Sequence, residues 1–147
     1  MAGLVLSLKP NEKFLVNGAL LSNGPKRGQI CVGDDDVHVL RMSDVIHPDE
    51  VNTPIRRVYY ATQIILSGDA GAIEIDGEIR EGLDALSTVF EGTPLKKNIE
   101  KAQFAVKNGR YYSVLCALKP LLKVEEDLLA KPVPVISPTE MLSAMAS

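Results

Sequence analysis

Short apolar segments separated by turn residues occupy the first 50 positions of the chain. Leucine recurs at every second position in residues 4–8, and this period of two predicts a half-buried strand. Residues 29–32 and 37–41 are also largely apolar, and the pattern predicts a hairpin between them across residues 33–36. We therefore expect this half of the chain to form an antiparallel β unit.

The dipeptide Asn17-Gly18 lies between two further apolar segments, Lys13–Val16 and Ala19–Ser22. Asparagine and glycine tolerate positive φ angles better than other residues, so the pair predicts a two-residue type I′ turn and a hairpin. A separate turn over residues 24–28 carries two adjacent cations at its tip, and these are Lys26 and Arg27.

Helical periodicity replaces the alternation after residue 52. Thr53-Pro54 predicts a helix start, because the hydroxyl can cap the first turn and proline suits the first helical position. The inward face of this helix is predicted to consist of Ile55, Val58, Tyr59, Thr62, Ile65 and Leu66. Thr93-Pro94 repeats the same start signal for another helix, which is expected to end near Gly109.

Two more helices are predicted, over about residues 72–90 and 110–122. Gly77 and Gly82 weaken the first of these helices, but they would permit a close contact with a neighbouring helix. Pro120 is expected to kink the second helix or to end it early, because proline lacks the N–H group that a helix interior needs.

Together these elements predict an α+β fold, with an N-terminal antiparallel β unit over residues 1–50 and a bundle of about four helices over residues 51–130. The two units are expected to form one compact domain. Residues 131–147 contain three prolines and no clear helical face, so we expect an extended or disordered tail. The strand edges of so small a β unit predict self-association, and a dimer is our guess.

Composition bears on the class of protein and its compartment. No apolar stretch reaches the roughly 18 residues of a membrane span, so no membrane partner is expected. Cys31 and Cys116 both have apolar neighbours, which predicts buried free thiols rather than a disulfide. The N-terminus has no signal-peptide pattern, and the expected compartment is the cytoplasm.

Charge is unevenly distributed along the chain, although the formal net charge is only −3. Residues 69–93 hold seven acidic side chains and one basic side chain, whereas residues 94–123 hold seven basic side chains and one acidic side chain. This pattern fits an acidic helix that lies beside basic helices. It fits equally well a basic surface for an anionic partner, and the sequence leaves both interpretations open.

Recognised catalytic motifs are not found. Neither glycine-rich phosphate-binding pattern occurs, and His38 and His47 lie outside known catalytic motifs. Two cysteines and two histidines at unrelated spacings make no zinc signature. We therefore expect no enzyme activity, no cofactor and no metal site.

The helix that begins at Pro54 carries chemistry of another kind. Arg56, Tyr60 and Gln63 are spaced i, i+4, i+7 and are predicted to share its exposed face, with Arg57 at the edge. Guanidinium, phenol and amide groups are the side-chain set used to contact single-stranded RNA. An ordinary solvated helix face has the same pattern, and on the residues alone that interpretation is favoured.

Three segments of the chain carry motifs that occur together in one known family. Residues 52–63, N-T-P-I-R-R-V-Y-Y-A-T-Q, are similar to the family's T-T-P-L-R-x-L-Y-F-x-x-Q segment. Residues 6–19 resemble its opening strand, which precedes an N-G-A turn, and residues 108–122 resemble its closing G-R-x-x-x-A-L helix. In their order and spacing these segments resemble the flagellum biosynthesis repressor FlbT family, and the resemblance covers about residues 4–129.

This resemblance implies a post-transcriptional regulator of flagellin synthesis. Members of the family are understood to act on the 5′ untranslated region of flagellin mRNA, repressing translation and promoting decay, with activation in some relatives. The flagellin mRNA leader is thus the expected partner, and a second small flagellar regulator, FlaF, is a further candidate. The candidate RNA-binding residues are Arg56, Arg57, Tyr60, Gln63, Lys26, Arg27, Lys96, Lys97 and Lys101.

A different class of function also stays open. A net acidic chain with few aromatic residues suits a protein–protein interaction module of flagellar assembly, whose effect on flagellin expression is indirect. In that case the same surface, or an exposed strand edge, binds a flagellar protein. The RNA hypothesis requires that Arg56 and Arg57 are not both sealed against acidic side chains.

Overall fold

The computed structural model describes residues 4–33, 37–68 and 72–130. Antiparallel strands precede four α-helices in this part of the chain, so the predicted α+β class is confirmed. The predicted tail, residues 131–147, lies outside the described residues. The strands are β1 (Leu4–Leu8), β2 (Lys13–Val16), β3 (Ala19–Ser22), β4 (Gly28–Val32) and β5 (Val39–Arg41), and the helices are α1 (Pro54–Leu66), α2 (Ala72–Val89), α3 (Lys96–Lys107) and α4 (Tyr111–Ala130).

The strands form two antiparallel sheets. One sheet pairs β1 with β4, and the other has the order β3-β2-β5. The hairpin that the sequence predicted between residues 29–32 and 37–41 is therefore wrong. Val39 and Leu40 of β5 are buried, whereas most of β4 is exposed, so the two strands need different neighbours. Apolar alternation identifies a strand but not its partner.

The hairpin predicted at Asn17-Gly18 is confirmed. Both residues have positive φ angles, of 49° and 84°, and Val16 lies opposite Ala19 across the turn. The tip of the hairpin packs against the end of α1, where a Cβ atom on Gly18 would lie 3.2 Å from the carbonyl oxygen of Ser67. Glycine thus meets two needs here, the conformation of the turn and its close approach to the helix.

The side chain of Arg41 connects the two sheets. Its Nε and Nη2 donate to the two carboxylate oxygens of Glu12 over 2.7 and 2.8 Å, and Nη2 also donates to the carbonyl oxygen of Ser7 on β1 over 2.8 Å. Both charged side chains are largely buried. A bidentate pair of this kind fixes orientation as well as distance, so β5 is held in a defined position against β1.

The first two helices agree with the prediction at their starts, and the third does not. Thr53 caps α1, because its hydroxyl oxygen accepts the N–H of Arg56 over 3.2 Å. The cap predicted at Thr93 is wrong: its hydroxyl donates to the carbonyl of Phe90 over 2.7 Å, and α3 begins at Lys96. The hydroxyl completes the end of the preceding turn instead, which the sequence pattern does not distinguish from a cap.

Pro120 does not end the last helix, which continues to Ala130. The early end is therefore wrong, whereas the alternative, a kink at Pro120, stays a prediction. Pro120 lies on the exposed side of α4, where the carbonyl that loses its helical partner can bind water. Leu118 and Leu121 on either side are buried, so the apolar packing of α4 continues across the proline.

The core of the protein lies among the four helices and is mainly aliphatic. α1 contributes all the residues predicted for its inward face, and Leu40 of β5 joins the same cluster. The largest side chains with almost no exposure are Tyr59, Leu40, Ile65, Leu66, Ile79, Leu83, Ile99, Leu115, Leu118 and Leu121. Burial of this apolar area is the main favourable term in folding.

The segment that leads from the sheets to α1 is held by polar contacts. The hydroxyl of Tyr59 donates to the carbonyl oxygen of Asp44 over 2.5 Å. The carboxylate of Asp44 is buried and forms an ion pair with Lys119 of α4. Burial raises the pKa of Tyr59 far above its usual range, so its hydroxyl stays protonated and remains a donor.

Two further expectations concern the cysteines and the membrane. Cys31 and Cys116 are free, as predicted, but both are exposed, so the prediction of buried thiols is wrong. Cys31 points away from the apolar face of β4, and Cys116 lies on the outer side of α4, although each has apolar neighbours in sequence. Among the described residues, no helix has the length and apolarity needed to cross a membrane.

Gly82 permits a close contact between α1 and α2, as the sequence suggested, and Gly77 does not. A Cβ atom at position 82 would lie only 2.5 Å from Cγ2 of Val58, whereas a Cβ atom at position 77 would have no neighbouring atom within 4 Å. The first glycine is thus required by packing. The second only weakens the helix.

We expect Gly82→Ala to lower the free energy of unfolding by roughly 1–3 kcal/mol, because the added methyl group collides with Val58. Gly77→Ala is the matched control and should raise it by roughly 0.5–1 kcal/mol, since the helix is favoured and no clash arises. Urea denaturation followed by circular dichroism measures both. In a Val58→Ala background, where the colliding methyl groups are gone, Gly82→Ala should lower the free energy of unfolding by less than it does in the parent protein. Equal effects of Gly82→Ala and Gly77→Ala on the free energy of unfolding would contradict this account.

The ion pair between Glu12 and Arg41 predicts a specific dependence of stability on pH. The hydrogen bond from Arg41 lowers the pKa of Glu12 from 4.5 to about 2. A carboxylate with a depressed pKa in the folded state stabilises the fold fully above pH 4.5, and this contribution is lost as the pH falls towards 2. Glu12→Gln should therefore be less stable at neutral pH, by roughly 1–3 kcal/mol.

Between pH 4.5 and about 2, the free energy of unfolding of Glu12→Gln should also fall less steeply than that of the parent protein. Urea denaturation of the protein and of Glu12→Gln at a series of pH values tests this, with the exposed Glu81→Gln as the control that keeps the full acid dependence. Parallel curves for the protein and Glu12→Gln below pH 4.5 would show that the ion pair does not contribute.

Candidate nucleic-acid interface

Arg56 is the first of the predicted RNA contacts on α1, and it is mostly engaged in the fold. Only 16% of its side chain is exposed, and its Nε lies 3.5 Å from Oε1 of Glu125 on α4. Its Nη1 donates to the carbonyl oxygen of Glu50 over 3.2 Å. The guanidinium thus joins the start of α1 to α4, and little of its charge is available to a ligand.

Gln63 is not on an exposed face, and that part of the prediction is wrong. The residue is 8% exposed, and its amide oxygen accepts the N–H of Ile46 over 2.8 Å, while its amide nitrogen donates to the carbonyl of Ile46 over 3.2 Å. Helical spacing places Gln63 on the side away from the bundle, but the segment before α1 folds back and covers that side. Buried backbone N–H and C=O groups must be hydrogen-bonded, and the side chain of Gln63 provides the partners for both groups of Ile46.

The other two residues of the predicted face remain at the surface. Arg57 is exposed and Tyr60 is half-buried. Arg57 lines a groove between α1 and α2 together with Glu78 and Glu81. These carboxylates would repel a phosphate, so the α1 face has less positive charge than its sequence suggested.

The turn between β3 and β4 places the two predicted cations at the surface. Lys26 and Arg27 are both exposed. Arg27 lines an open pocket between the sheets with Lys9, Gln29 and Arg41. Arg41 is already paired with Glu12, so Lys9 and Arg27 supply the charge that this pocket can offer to an anion.

The third predicted group lies on α3, and its members differ. Lys96 forms an ion pair with Glu91. Lys97 and Lys101 are exposed, and neither is in an ion pair within the described part of the chain. Both line a groove between α3 and α4, together with Arg110 at the start of α4. The rim of the groove therefore has three cations and a single carboxylate, Glu100.

Phe104 is the most exposed aromatic residue of the protein, and it lies in the same groove. Its exposure is 67%, whereas every other phenylalanine and tyrosine is buried or half-buried. The groove has a volume of about 890 Å³, and its floor includes Ala105, Ala117 and Pro120. Asn98 fastens the two helices there, because its amide donates to the carbonyl of Ala117 over 3.1 Å.

Sequence reasoning missed Phe104 and Arg110 as functional candidates. Lys97, Lys101 and Phe104 have the same i, i+4, i+7 spacing that drew attention to α1. A lone aromatic residue on the polar face of a helix was the available signal. The role of Arg110 depends on how α4 packs against α3, and the sequence does not give this packing.

The contacts between α2 and α3 distinguish the two interpretations of the charge segregation. α2 packs beside α3, as the first interpretation supposes, but the polar contacts between them are hydrogen bonds: Gln103 donates to Asp84 over 2.9 Å, and Arg80 donates to the carbonyl oxygen of Val106 over 3.3 Å. In the described residues no ion pair joins α2 to α3. The cations of α3 therefore face outwards, which favours a basic surface.

Within the same ranges, no group of three or more His, Cys, Asp or Glu residues could hold a metal ion. The sites described above present mainly cations, with a few carboxylates beside them and two accessible aromatic rings, those of Tyr60 and Phe104. Cations bind anions, and aromatic rings stack on planar groups.

Comparison with known proteins identifies the family. The sequence profile described as "Flagellar protein FlbT" matches residues 4–129. The chain belongs to the FlbT family. The match includes every strand and nearly all of the helical half, so the fold described here is that of an FlbT-family chain.

Curated relatives agree with this assignment. The Flagellum biosynthesis repressor protein FlbT of Caulobacter vibrioides (strain ATCC 19089 / CIP 103742 / CB 15) is 32% identical over 126 residues, which are 86% of this chain and 89% of the relative. An FlbT relative from Mesorhizobium japonicum is 32% identical over 126 residues, covering 86% of this chain and 84% of the relative. One from Chelativorans sp. is 30% identical over 125 residues, with 85% of each chain covered. No solved structure matches the chain.

The pairing of Gln63 with Ile46 predicts a structural role for this residue. Gln63→Ala should lower the free energy of unfolding by roughly 2–4 kcal/mol, because it leaves the N–H and C=O groups of Ile46 unpaired. Arg57→Ala, earlier on the same helix and exposed, should change it by less than about 0.5 kcal/mol. Urea denaturation of both variants tests this difference, and a Gln63→Ala protein as stable as the parent would contradict it.

Proposed function

We propose that this FlbT-family protein represses flagellin synthesis after transcription, by binding the leader of flagellin mRNA in the cytoplasm. It acts by occupying the 5′ untranslated region, which blocks translation and promotes decay of the message, and it catalyses no reaction itself. Membership of the family supports the flagellar role, and the names of the curated relatives support repression.

The observation that carries the RNA proposal is the exposure of Lys97 and Lys101 beside Arg110. A cation that is already paired with a carboxylate binds a polyanion only weakly. Within the described ranges, none of these three cations forms an ion pair. They bound one groove, so a phosphate backbone can contact several at once. This local positive charge exists although the chain as a whole is net negative.

The remaining candidate residues differ in how accessible they are to RNA, and so in what they contribute to binding in this proposal. Lys26 and Arg27 are exposed and supply a second place for phosphate contacts. Arg57 and Tyr60 are accessible, but the carboxylates beside Arg57 make the α1 face a weaker contact. Arg56, Lys96 and Gln63 act through the fold, because each already has protein partners.

A protein–protein module is the second candidate function, and one observation favours it. β3 is an edge strand with every residue exposed, and its Leu20 and Leu21 are 60% and 44% exposed. An exposed apolar edge can add a strand from another chain, either a second copy or a flagellar protein such as FlaF. In this case the effect on flagellin expression is indirect.

Fluorescence anisotropy with labelled flagellin leader RNA tests the RNA proposal on the full-length protein. We expect the logarithm of the association constant to fall linearly with the logarithm of the salt concentration. Lys97→Gln/Lys101→Gln should weaken binding and make this slope shallower, by about 0.7 for each phosphate of single-stranded RNA that the protein no longer neutralises.

The control variant is Lys107→Gln, which removes one cation from the exposed end of α3 outside the groove. It should keep the parent salt slope. An absence of salt-dependent RNA binding by the purified protein, together with co-purification of FlaF or another flagellar protein, would overturn the RNA proposal in favour of the interaction module.

A further inference from the structure

The groove between α3 and α4 combines an exposed ring with a cationic rim. Phe104 is 67% exposed, although an aromatic ring in water costs free energy that burial would recover. Lys101 lies one turn before it on the same helix face, and Arg110, directly before α4, lines the same groove. A planar, anionic ligand is the kind of partner that would use both features together.

We propose that this groove is the binding site for an unpaired nucleotide of the RNA, with its base stacked on Phe104 and its flanking phosphates on Lys97, Lys101 and Arg110. This inference rests on the RNA-binding function proposed above. It goes further by naming the site and by restricting the ligand to single-stranded segments, since a base within a duplex has no free face for the ring.

The packing of α3 and α4 fixes the positions of the ring and of the cations. Phe104 stands on a helix whose opposite face is buried, through Ile99, Ala102 and Val106. Asn98 fastens α3 to α4 at the floor through its hydrogen bond to Ala117. The ring and the cations are therefore positioned by rigid elements before any ligand arrives, which reduces the entropy lost on binding.

An acidic amphipathic helix of a protein partner would also be attracted to a cationic groove, but the apolar surface does not suit it. Such helices bind through several large apolar anchors spaced over two or three turns, and the receiving groove offers matching apolar surface along its length. Here Phe104 is the one large apolar side chain of the lining, and the rest of the apolar surface comes from small residues and Pro120. A single ring flanked by cations matches one base better than a helix.

The absence of tryptophan from the sequence provides a direct probe of the site. In Phe104→Trp the new indole is the only one in the protein, and it keeps the stacking surface. We expect its fluorescence to be quenched on addition of a single-stranded RNA oligonucleotide from the flagellin leader. A blunt RNA duplex of the same length should leave the fluorescence unchanged at equal salt concentration, because its bases are already stacked.

Removal of the ring should weaken binding without unfolding the protein. We expect Phe104→Ala to reduce affinity for the single-stranded oligonucleotide about 5- to 150-fold, the range for loss of one base–aromatic stack, with an unchanged salt slope. Val89→Ala is the matched control, because it shortens another apolar side chain that is 71% exposed, on α2 and outside the groove. It should bind RNA as the parent protein does, and circular dichroism checks that both variants remain folded.

The outcomes separate this inference from the function on which it rests. If the parent protein binds RNA, but Phe104→Ala binds equally well and the indole of Phe104→Trp does not respond, the site is elsewhere and the RNA function stands. If the parent binds no RNA, both proposals fail. If the indole responds to an acidic amphipathic peptide and not to single-stranded RNA, the groove is a protein-docking site and the inference is overturned.

Discussion

Buried backbone groups outside regular secondary structure must still be hydrogen-bonded, and in this protein α1 meets that need. The segment that leads from the sheets to the bundle lies against α1, where Gln63 pairs with both backbone groups of Ile46 and Tyr59 pairs with the carbonyl of Asp44. These contacts fix the β unit on the bundle. They also take polar side chains of α1 out of reach of any ligand.

This constraint determines where a binding surface can lie. With one side of α1 against the bundle core and another against the connecting segment, only a strip that contains Arg57 remains open, and α2 places carboxylates beside it. α3 is covered on one side only, so its outer face keeps Lys97, Lys101 and Phe104 exposed. Charge that is segregated along the chain becomes a cationic groove in the folded protein because α4 adds Arg110 to it.

Patterns over neighbouring residues predicted much of this architecture. The positive φ of Asn17 and Gly18, the cap at Thr53 and the buried stripe of α1 follow from short-range stereochemistry and were correct. The errors arose where the outcome depends on a distant partner. Strand β5 pairs with β2 instead of β4, and α4 continues through Pro120 because its flanking leucines pack on other helices.

The sequence by itself determined which segments become strands and helices, which residues form the aliphatic core, and the family to which the chain belongs. These properties depend on local backbone preference and on apolar periodicity, and both can be recognised from short stretches of consecutive residues. Tertiary structure alone decided which polar side chains are free. Gln63 and Phe104 stand at similar positions in similar patterns, but the connecting segment covers the first and nothing in the described residues covers the second. Whether a side chain is exposed depends on how the helices and strands pack against one another. The position of the candidate binding groove depends on the same packing.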